Sequence, residues 1–325
     1  MNGISIIIPT YNGEKVIELA LEGVLKQSTQ IPIEVIIVNN NSTDGTILKA
    51  KNYWSSKQRS NIDFRILHEN NPGKFNAQHL GIVSASYEYV VICDDDNILD
   101  ENYCQTASEW LEKIPEIGAI GGCGRPLFGG SEPTWFQTYQ KFYAIGPQGD
   151  GAGDITNQKG CLYGAGMVIR KSLYLELFRK GFEPIFTSRK GKKLASGSED
   201  TELCYALRLM GYKIYYDDSL TFQHFIESRK LTKAYVRSLI ISQARASGND
   251  LVYQSWLQEK SFLTLWFDNF KAIFSVKFYK YLAFLVTNYK NMRLHAIYFF
   301  VSFFLLLRMR FFVLKYQRKK ILIFF

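Results

Sequence analysis

Over the first 114 residues, short apolar runs alternate with stretches whose apolar positions recur at helical spacing. Residues 4–8, 34–38, 64–67 and 89–93 read as strands, while 14–27 and 75–85 read as helices. Strands and helices alternating at this length predict right-handed crossovers and a mainly parallel sheet. Strands with so few polar positions predict a sheet covered on both faces. Ligands of such sheets sit beyond the carboxyl ends of the strands. The segments PTYN at 9–12, NNNSTDGT at 39–46 and DDD at 94–96 all fall at those ends. Three polar loops are therefore expected to converge on one crevice.

The rhythm changes at residues 115–160, where IGGCGRPLFGG and GPQGDGAGD are rich in glycine. These read as mobile loops on the acceptor side of the crevice. Order returns at 162–178, a strand running into a helix. A second helix is expected over 198–212. Ser198 can cap it, the acids at 199, 200 and 202 suit the positive end of its dipole, and Gly211 stops it. No internal repeat is visible.

From residue 261 the text changes again. Aromatic and aliphatic residues mix with single lysines and arginines, and Asp268 is the only acid before the end. Most of the chain's net charge of +9 therefore sits in this tail, and residues 1–260 are close to neutral. The uncharged run 296–307 falls well short of the roughly twenty apolar residues of a membrane span. The pattern suits amphipathic helices lying in the interface of an anionic membrane. A helical lid on the catalytic unit or a homodimer element is the alternative. Nucleic acid is disfavoured, because the segment is too apolar for a solvated phosphate-binding surface. The cysteine count is odd, five, and lacks metal-finger spacing, which points to a reducing compartment. No secretory leader is visible. The expected location is the cytoplasm, peripherally on the inner face of the membrane.

Asp94, Asp95 and Asp96 follow directly on an apolar strand. Adjacent carboxylates repel, so their crowding makes sense where Mg2+ or Mn2+ and a diphosphate occupy the crevice. The bland alternative is a solvated acidic turn with Asn97 and Asp100 as caps.

Four motifs in order carry a resemblance: ISIIIPTYNGEKVIELALEGVLKQ, VIIVNNNSTDGT, ENNPGKFNAQHLGIVSASYEYVVICDDDNIL and GSEDTELCYALRLMGYKIYY. Together they make the chain resemble the family 2 glycosyltransferases, over roughly residues 3–225. The resemblance implies the GT-A fold: a mainly parallel sheet between helices, here followed by a helical, basic, membrane-seeking C-terminal region. It implies a catalytic domain over 1–226, with a nucleotide-binding half at 1–114 and an acceptor half at 115–226, and a helical region over 227–325.

By the same resemblance, Pro9, Thr10, Tyr11, Asn39 and Asn40 lie where the nucleotide base binds. The family commonly has an aspartate at 39, which leaves uracil or thymine open. Gln78 stands where arginine is usual, so Lys74 is the candidate for phosphate charge. Asp94 matches the ribose-side aspartate, Asp95 the variable middle position and Asp96 the metal ligand, with His224 completing the metal site. Glu199 and Asp200 match the pair that supplies the general base of inverting members, and Asp200 is favoured. Gly164, Ala165 and Gly166 match a small-residue segment beneath the donor sugar. Trp135, in a loop, can stack on an acceptor sugar. The implied activity is sugar transfer from a UDP- or dTDP-type donor to a saccharide or lipid-linked acceptor, with inversion. A non-catalytic binding relic of the fold and a nucleotidyltransferase are the competing readings; the glycine-rich basic loop of the latter is absent from PTYNGEK.

Overall fold

The structure, a computed structural model, describes residues 3–57, 62–184, 198–260 and 264–265. The tail expected to bind membranes, 261–325, lies outside the described residues save for 264–265. The amino-terminal half begins with β1 (Ile4–Thr10), α1 (Ile17–Leu25), β2 (Ile33–Asn39) and α2 (Thr46–Lys57). It continues through β3 (Ile62–His68), α3 (Lys74–Ser84), β4 (Tyr89–Ile92), β5 (Asn97–Leu99) and α4 (Tyr103–Lys113). The second half runs through β6 (Ile117–Phe128), α5 (Phe136–Tyr139), β7 (Gly153–Asp154), β8 (Val168–Arg170), α6 (Lys171–Arg179), α7 (Glu199–Leu209), β9 (Lys213–Ile226) and α8 (Lys233–Leu257).

The strands form one nine-stranded sheet in the order β3-β2-β1-β4-β8-β6-β9-β5, with β7 on β9. Pairings β1–β2, β2–β3, β1–β4 and β6–β9 are parallel, and β8 is antiparallel to both its neighbours. The expected mainly parallel sheet is present. Its apolar strands carry side chains to two cores, one per face. Ile4, Ile6, Ile8, Val35 and Ile37 pack with residues of α1 and α4, whereas Ile7, Ile36 and Val38 pack with residues of α3, α6 and α7. The register sets Thr10 beside Asn39 and Ile7 beside Ile92, so the loops after β1, β2 and β4 open on the same edge.

Two expectations need correction. Residues 117–128, read as glycine-rich loop, form the long strand β6. Glycine is poor in strands by propensity, but here it is required by close backbone approach. A Cβ on Gly122 would lie 1.7 Å from the Leu220 carbonyl oxygen, and one on Gly124 would lie 2.3 Å from that of Ala144. Ser198 also fails as a side-chain cap of α7; its backbone is left-handed, φ 97°, and no side-chain capping bond forms. Its carbonyl accepts the Glu202 N–H at 3.0 Å, and in the first turn the Thr201 N–H donates to the Asp200 carboxylate at 2.9 Å.

Helix α8 packs on α7. Tyr253 donates its hydroxyl to the buried Glu202 carboxylate at 2.6 Å, and the rings of Tyr205 and Tyr253 stack 5.5 Å apart. Residues 233–257 thus share the packing of the sheet domain. No helix among the described residues is long and apolar enough to cross a membrane.

Replacing Gly122 by alanine forces a methyl group onto the Leu220 backbone. We expect a loss of about 3 kcal/mol or more, the upper range for overpacking against unyielding backbone. Urea unfolding of the variant beside the parent chain measures it.

Candidate active site

The site begins at the carboxyl ends of β1, β2 and β4. Thr10, the last residue of β1, donates its hydroxyl to the Asp95 carboxylate at 2.6 Å. Asp95 therefore ties the β1 loop to the β4 loop. Burial and the charge of Asp96 push its carboxyl up to about 7, against the pull of the Thr10 bond. Asp94 is paired with Lys74 from the first turn of α3, 2.5 Å away. The third aspartate is the most enclosed, at 8% exposure.

Asp96 immediately precedes β5, which pairs antiparallel with β9 so that Asn97 faces His224. This register sets His224 Nε2 3.5 Å from Asp96 Oδ2. Lys230, in the short 3-10 turn Ser228–Lys230 after β9, places its ammonium 2.7 Å from the same oxygen. Burial alone would raise the Asp96 carboxyl, but His224 and Lys230 outweigh it and hold it well below the usual range. The same pair raises Lys230, although burial opposes it.

Tyr143 positions both partners. His224 Nδ1 lies 2.7 Å from the Tyr143 carbonyl oxygen, and the Tyr143 hydroxyl donates to the Lys230 carbonyl at 2.8 Å. A carbonyl can only accept, so Nδ1 carries a proton; Nε2 pairs with Asp96 when it too is protonated, and it offers its lone pair only where a cation takes that proton's place. A carboxylate oxygen and an imidazole lone pair at this separation fit a divalent cation of the Mn2+ type, and the Tyr143 carbonyl is the outer partner that would fix the ring. Among the described residues no group of three or more His, Cys, Asp or Glu stands ready as a complete metal cage.

Across the cleft lies the first turn of α7. Asp200 receives the Gly164 N–H on Oδ2 and the Thr201 N–H on Oδ1. Two backbone donors orient the carboxylate. Space at 164 is tight: a Cβ there would lie 3.1 Å from the Asp200 carboxylate. A cleft of about 290 Å³ is lined by Lys74, Asp94, Asp96, Gly164, Ala165, Glu199, Asp200, His224 and Lys230, with Tyr235, Leu239 and Gln243 of α8 on one wall.

The remaining expected residues are placed differently. Gly166 turns inward with φ 73°, its carbonyl accepting the Tyr103 hydroxyl at 2.6 Å. Asn40 spends both amide hydrogens on the carbonyls of Glu69 and Asn71, and its Oδ1 accepts the Gly73 N–H. The Asn39 amide is likewise engaged by Ser42 and His68. These side chains brace the β2 loop, and the Tyr11 ring stands half-exposed beyond the buried Pro9. Trp135 is not part of the cleft wall. It packs against Phe136 and Tyr139, because the aromatic cluster around α5 absorbs it.

Sequence reasoning missed Lys230, Tyr143 and Asp250. Lys230 meets Asp96 across 134 residues, a separation at which no local motif speaks. Asp250 of α8 has a buried Oδ1 with no hydrogen-bond partner. Burial first, and then the charge of Asp200, push its carboxyl up to about 7.

A family model described as Glycosyl transferase family 2 matches residues 5–178. Poly-beta-1,6-N-acetyl-D-glucosamine synthase of Staphylococcus epidermidis is 36% identical over 124 residues, 38% of this chain and 28% of that protein. The chain thus matches only about 28% of that relative's length. Among solved structures, Staphylococcus aureus TarS 1–349 in complex with UDP-GlcNAc aligns with TM-score 0.53 at 18% identity, over 80% of this chain and 71% of that one. The mannosyltransferase PcManGT from Pyrobaculum calidifontis, in complex with GDP-Man and Mn2+, aligns with TM-score 0.52 at 19% identity, over 76% and 62%. At these identities the likeness shows the fold, the GT-A arrangement.

The raised carboxyl of Asp250 gives a pH dependence with a definite sign. Its pKa is higher folded than unfolded, so the folded chain binds more protons between about pH 4 and about 7, and stability falls as pH rises through that window. Asp250→Asn removes the dependence. Its melting temperature should exceed the parent's by about 2–6 °C at pH 8 and converge with it at pH 5. Calorimetric scans at the two pH values check this.

Proposed function

The chain belongs to glycosyl transferase family 2, and on that premise we propose that it transfers a sugar from a nucleotide-diphosphate sugar to a hydroxyl of a saccharide or lipid-linked saccharide, with inversion at the anomeric carbon. One observation carries the reading: the Asp96–His224 pair and the backbone-held Asp200 carboxylate line one cleft at the carboxyl edge of the sheet. The names of the synthase relatives and of the TarS complex make UDP-GlcNAc the first donor to try, with dTDP sugars second.

The donor lies across the edge, its base against Tyr11 and its diphosphate near Asp94, Lys74 and Asp96. Asp96 and His224 would hold a divalent cation, Mn2+ or Mg2+, whose charge would offset that of the departing diphosphate. Asp200 accepts the proton of the acceptor hydroxyl while the hydroxyl oxygen attacks the anomeric carbon. The bond from that carbon to the diphosphate oxygen breaks, and its electron pair leaves with the diphosphate. Because Oδ1 and Oδ2 each already accept a backbone N–H, the carboxylate needs no rearrangement before it acts. Glu199, beside it, lines the same cleft. Gly164 keeps the space in front of Asp200 open.

The acceptor chemistry and the basic tail are read together. Residues 261–325 bring the catalytic unit to an anionic membrane, where a lipid-linked acceptor or a growing surface polysaccharide is presented.

Asp200→Asn should lower kcat about a hundredfold or more while nucleotide binding stays near the parent's, and its melting temperature should fall, because the amide has one acceptor for the two backbone N–H groups. Product NMR should show an inverted anomeric centre; retention would sink the single-displacement mechanism. Asp96→Ala, or excess EDTA on the parent chain, should abolish transfer, with rescue of the latter by Mn2+ or Mg2+. Full activity in chelator overturns the metal assignment. In liposome flotation at low salt, removal of 261–325 should abolish binding to anionic vesicles. Equal flotation of both forms would leave the tail as a lid or dimer element.

A further inference from the structure

Asp96 Oδ2 faces Lys230 and His224 at once, and the Lys230 ammonium is incompatible with a divalent cation at that oxygen. Lys230 Nζ lies 2.7 Å from it and His224 Nε2 3.5 Å from it. A divalent cation that takes Oδ2 and Nε2 as ligands would meet the ammonium at the same oxygen, and two cations at that range repel strongly in an enclosed site. Lys230 must then give up the oxygen. It lies against the cleft with 18% of its side chain exposed, so it cannot simply swing into bulk water. The other carboxylates nearby already have partners: Asp94 pairs with Lys74 at 2.5 Å, Glu227 pairs with Arg229 through two bonds of 2.9 and 2.6 Å, Asp95 accepts the Thr10 hydroxyl at 2.6 Å, and Asp200 accepts two backbone N–H groups. An ammonium carries three donors and no acceptor. Released into this cleft, it needs a new anion.

We propose that Lys230 is an exchangeable counter-ion. It holds Asp96 in the free chain, yields that oxygen to a divalent cation, and then binds the diphosphate of a nucleoside diphosphate. The site therefore stays charge-balanced in both states, and Asp96 never faces burial without a cation. Tyr143 supports the exchange by anchoring the Lys230 carbonyl and the His224 ring together, so the backbone holds still while the side chain moves. The proposal rests on the donor reading given above, which places a diphosphate in this cleft.

The test uses the full chain and reads binding, not turnover. Mn2+ is titrated calorimetrically into the parent, Lys230→Gln and Lys230→Arg without nucleotide, and UDP is then titrated at saturating Mn2+. Lys230→Gln should bind Mn2+ about tenfold tighter and UDP about tenfold weaker, the scale of one charge-assisted hydrogen bond. Lys230→Arg should keep UDP affinity within about threefold. A second route does not require Lys230→Gln to fold alone. Asp96→Asn frees the ammonium, so its UDP affinity in EDTA should rise about tenfold over the parent's, and adding Lys230→Gln to it should erase the gain. Unchanged Mn2+ affinity in Lys230→Gln, unchanged UDP affinity in Mn2+, or no gain in Asp96→Asn overturns the proposal. A parent chain that binds Mn2+ but no UDP, dTDP or GDP overturns the donor reading instead, and the Mn2+ titrations still decide the exchange at Asp96.

Discussion

A carboxylate with 8% of its surface exposed requires positive charge beside it, and Asp96 finds that charge only through the whole fold. Its position follows from β4, the last strand of the parallel half. His224 comes from the far end of β9, and Lys230 from the turn leading into α8. The antiparallel pairing of β5 with β9 brings these parts together and sets Asn97 against His224. The aspartate therefore acts as the joint between the amino-terminal half and β9 with the turn that follows it. Its neighbours show the same economy of charge: Lys74 on Asp94, and the Thr10 hydroxyl on Asp95.

The other side of the cleft depends on closeness of backbone. Gly164 gives Asp200 its N–H because no side chain stands between them, and Gly122 and Gly124 let β6 lie against Leu220 and Ala144. Through that contact the segment carrying Tyr143 reaches His224 and Lys230. α8 completes the wall, fastened to α7 by the Tyr253–Glu202 bond beneath the turn that presents Asp200. The chemistry is thus carried by a few side chains whose positions are set by backbone contacts far apart in sequence.

Much of the amino-terminal half was legible in the pattern of residues. Runs such as 4–8 and 34–38 are buried on both faces, and such burial leaves an unmistakable apolar signature. The loops at their carboxyl ends were legible for the same reason, since parallel strands must end on one edge. β6 was not legible, because its glycines answer a tertiary contact and suppress the strand signal. The partners of the Asn39 and Asn40 amides within the β2 loop were not legible, nor was the aromatic cluster around Trp135, because only three-dimensional packing assembles them.

The sequence by itself determined the alternation of strand and helix, the edge on which polar loops gather and the residue types that meet there, because periodicity and carboxylate crowding are local properties. Only the tertiary structure decided which charges neutralise which. Lys230 and Tyr143 reach the site from 134 and 47 residues beyond Asp96, counted along the chain. Electrostatic pairing in a buried site depends on distances of a few ångströms in space, and strand register, not sequence proximity, sets those distances.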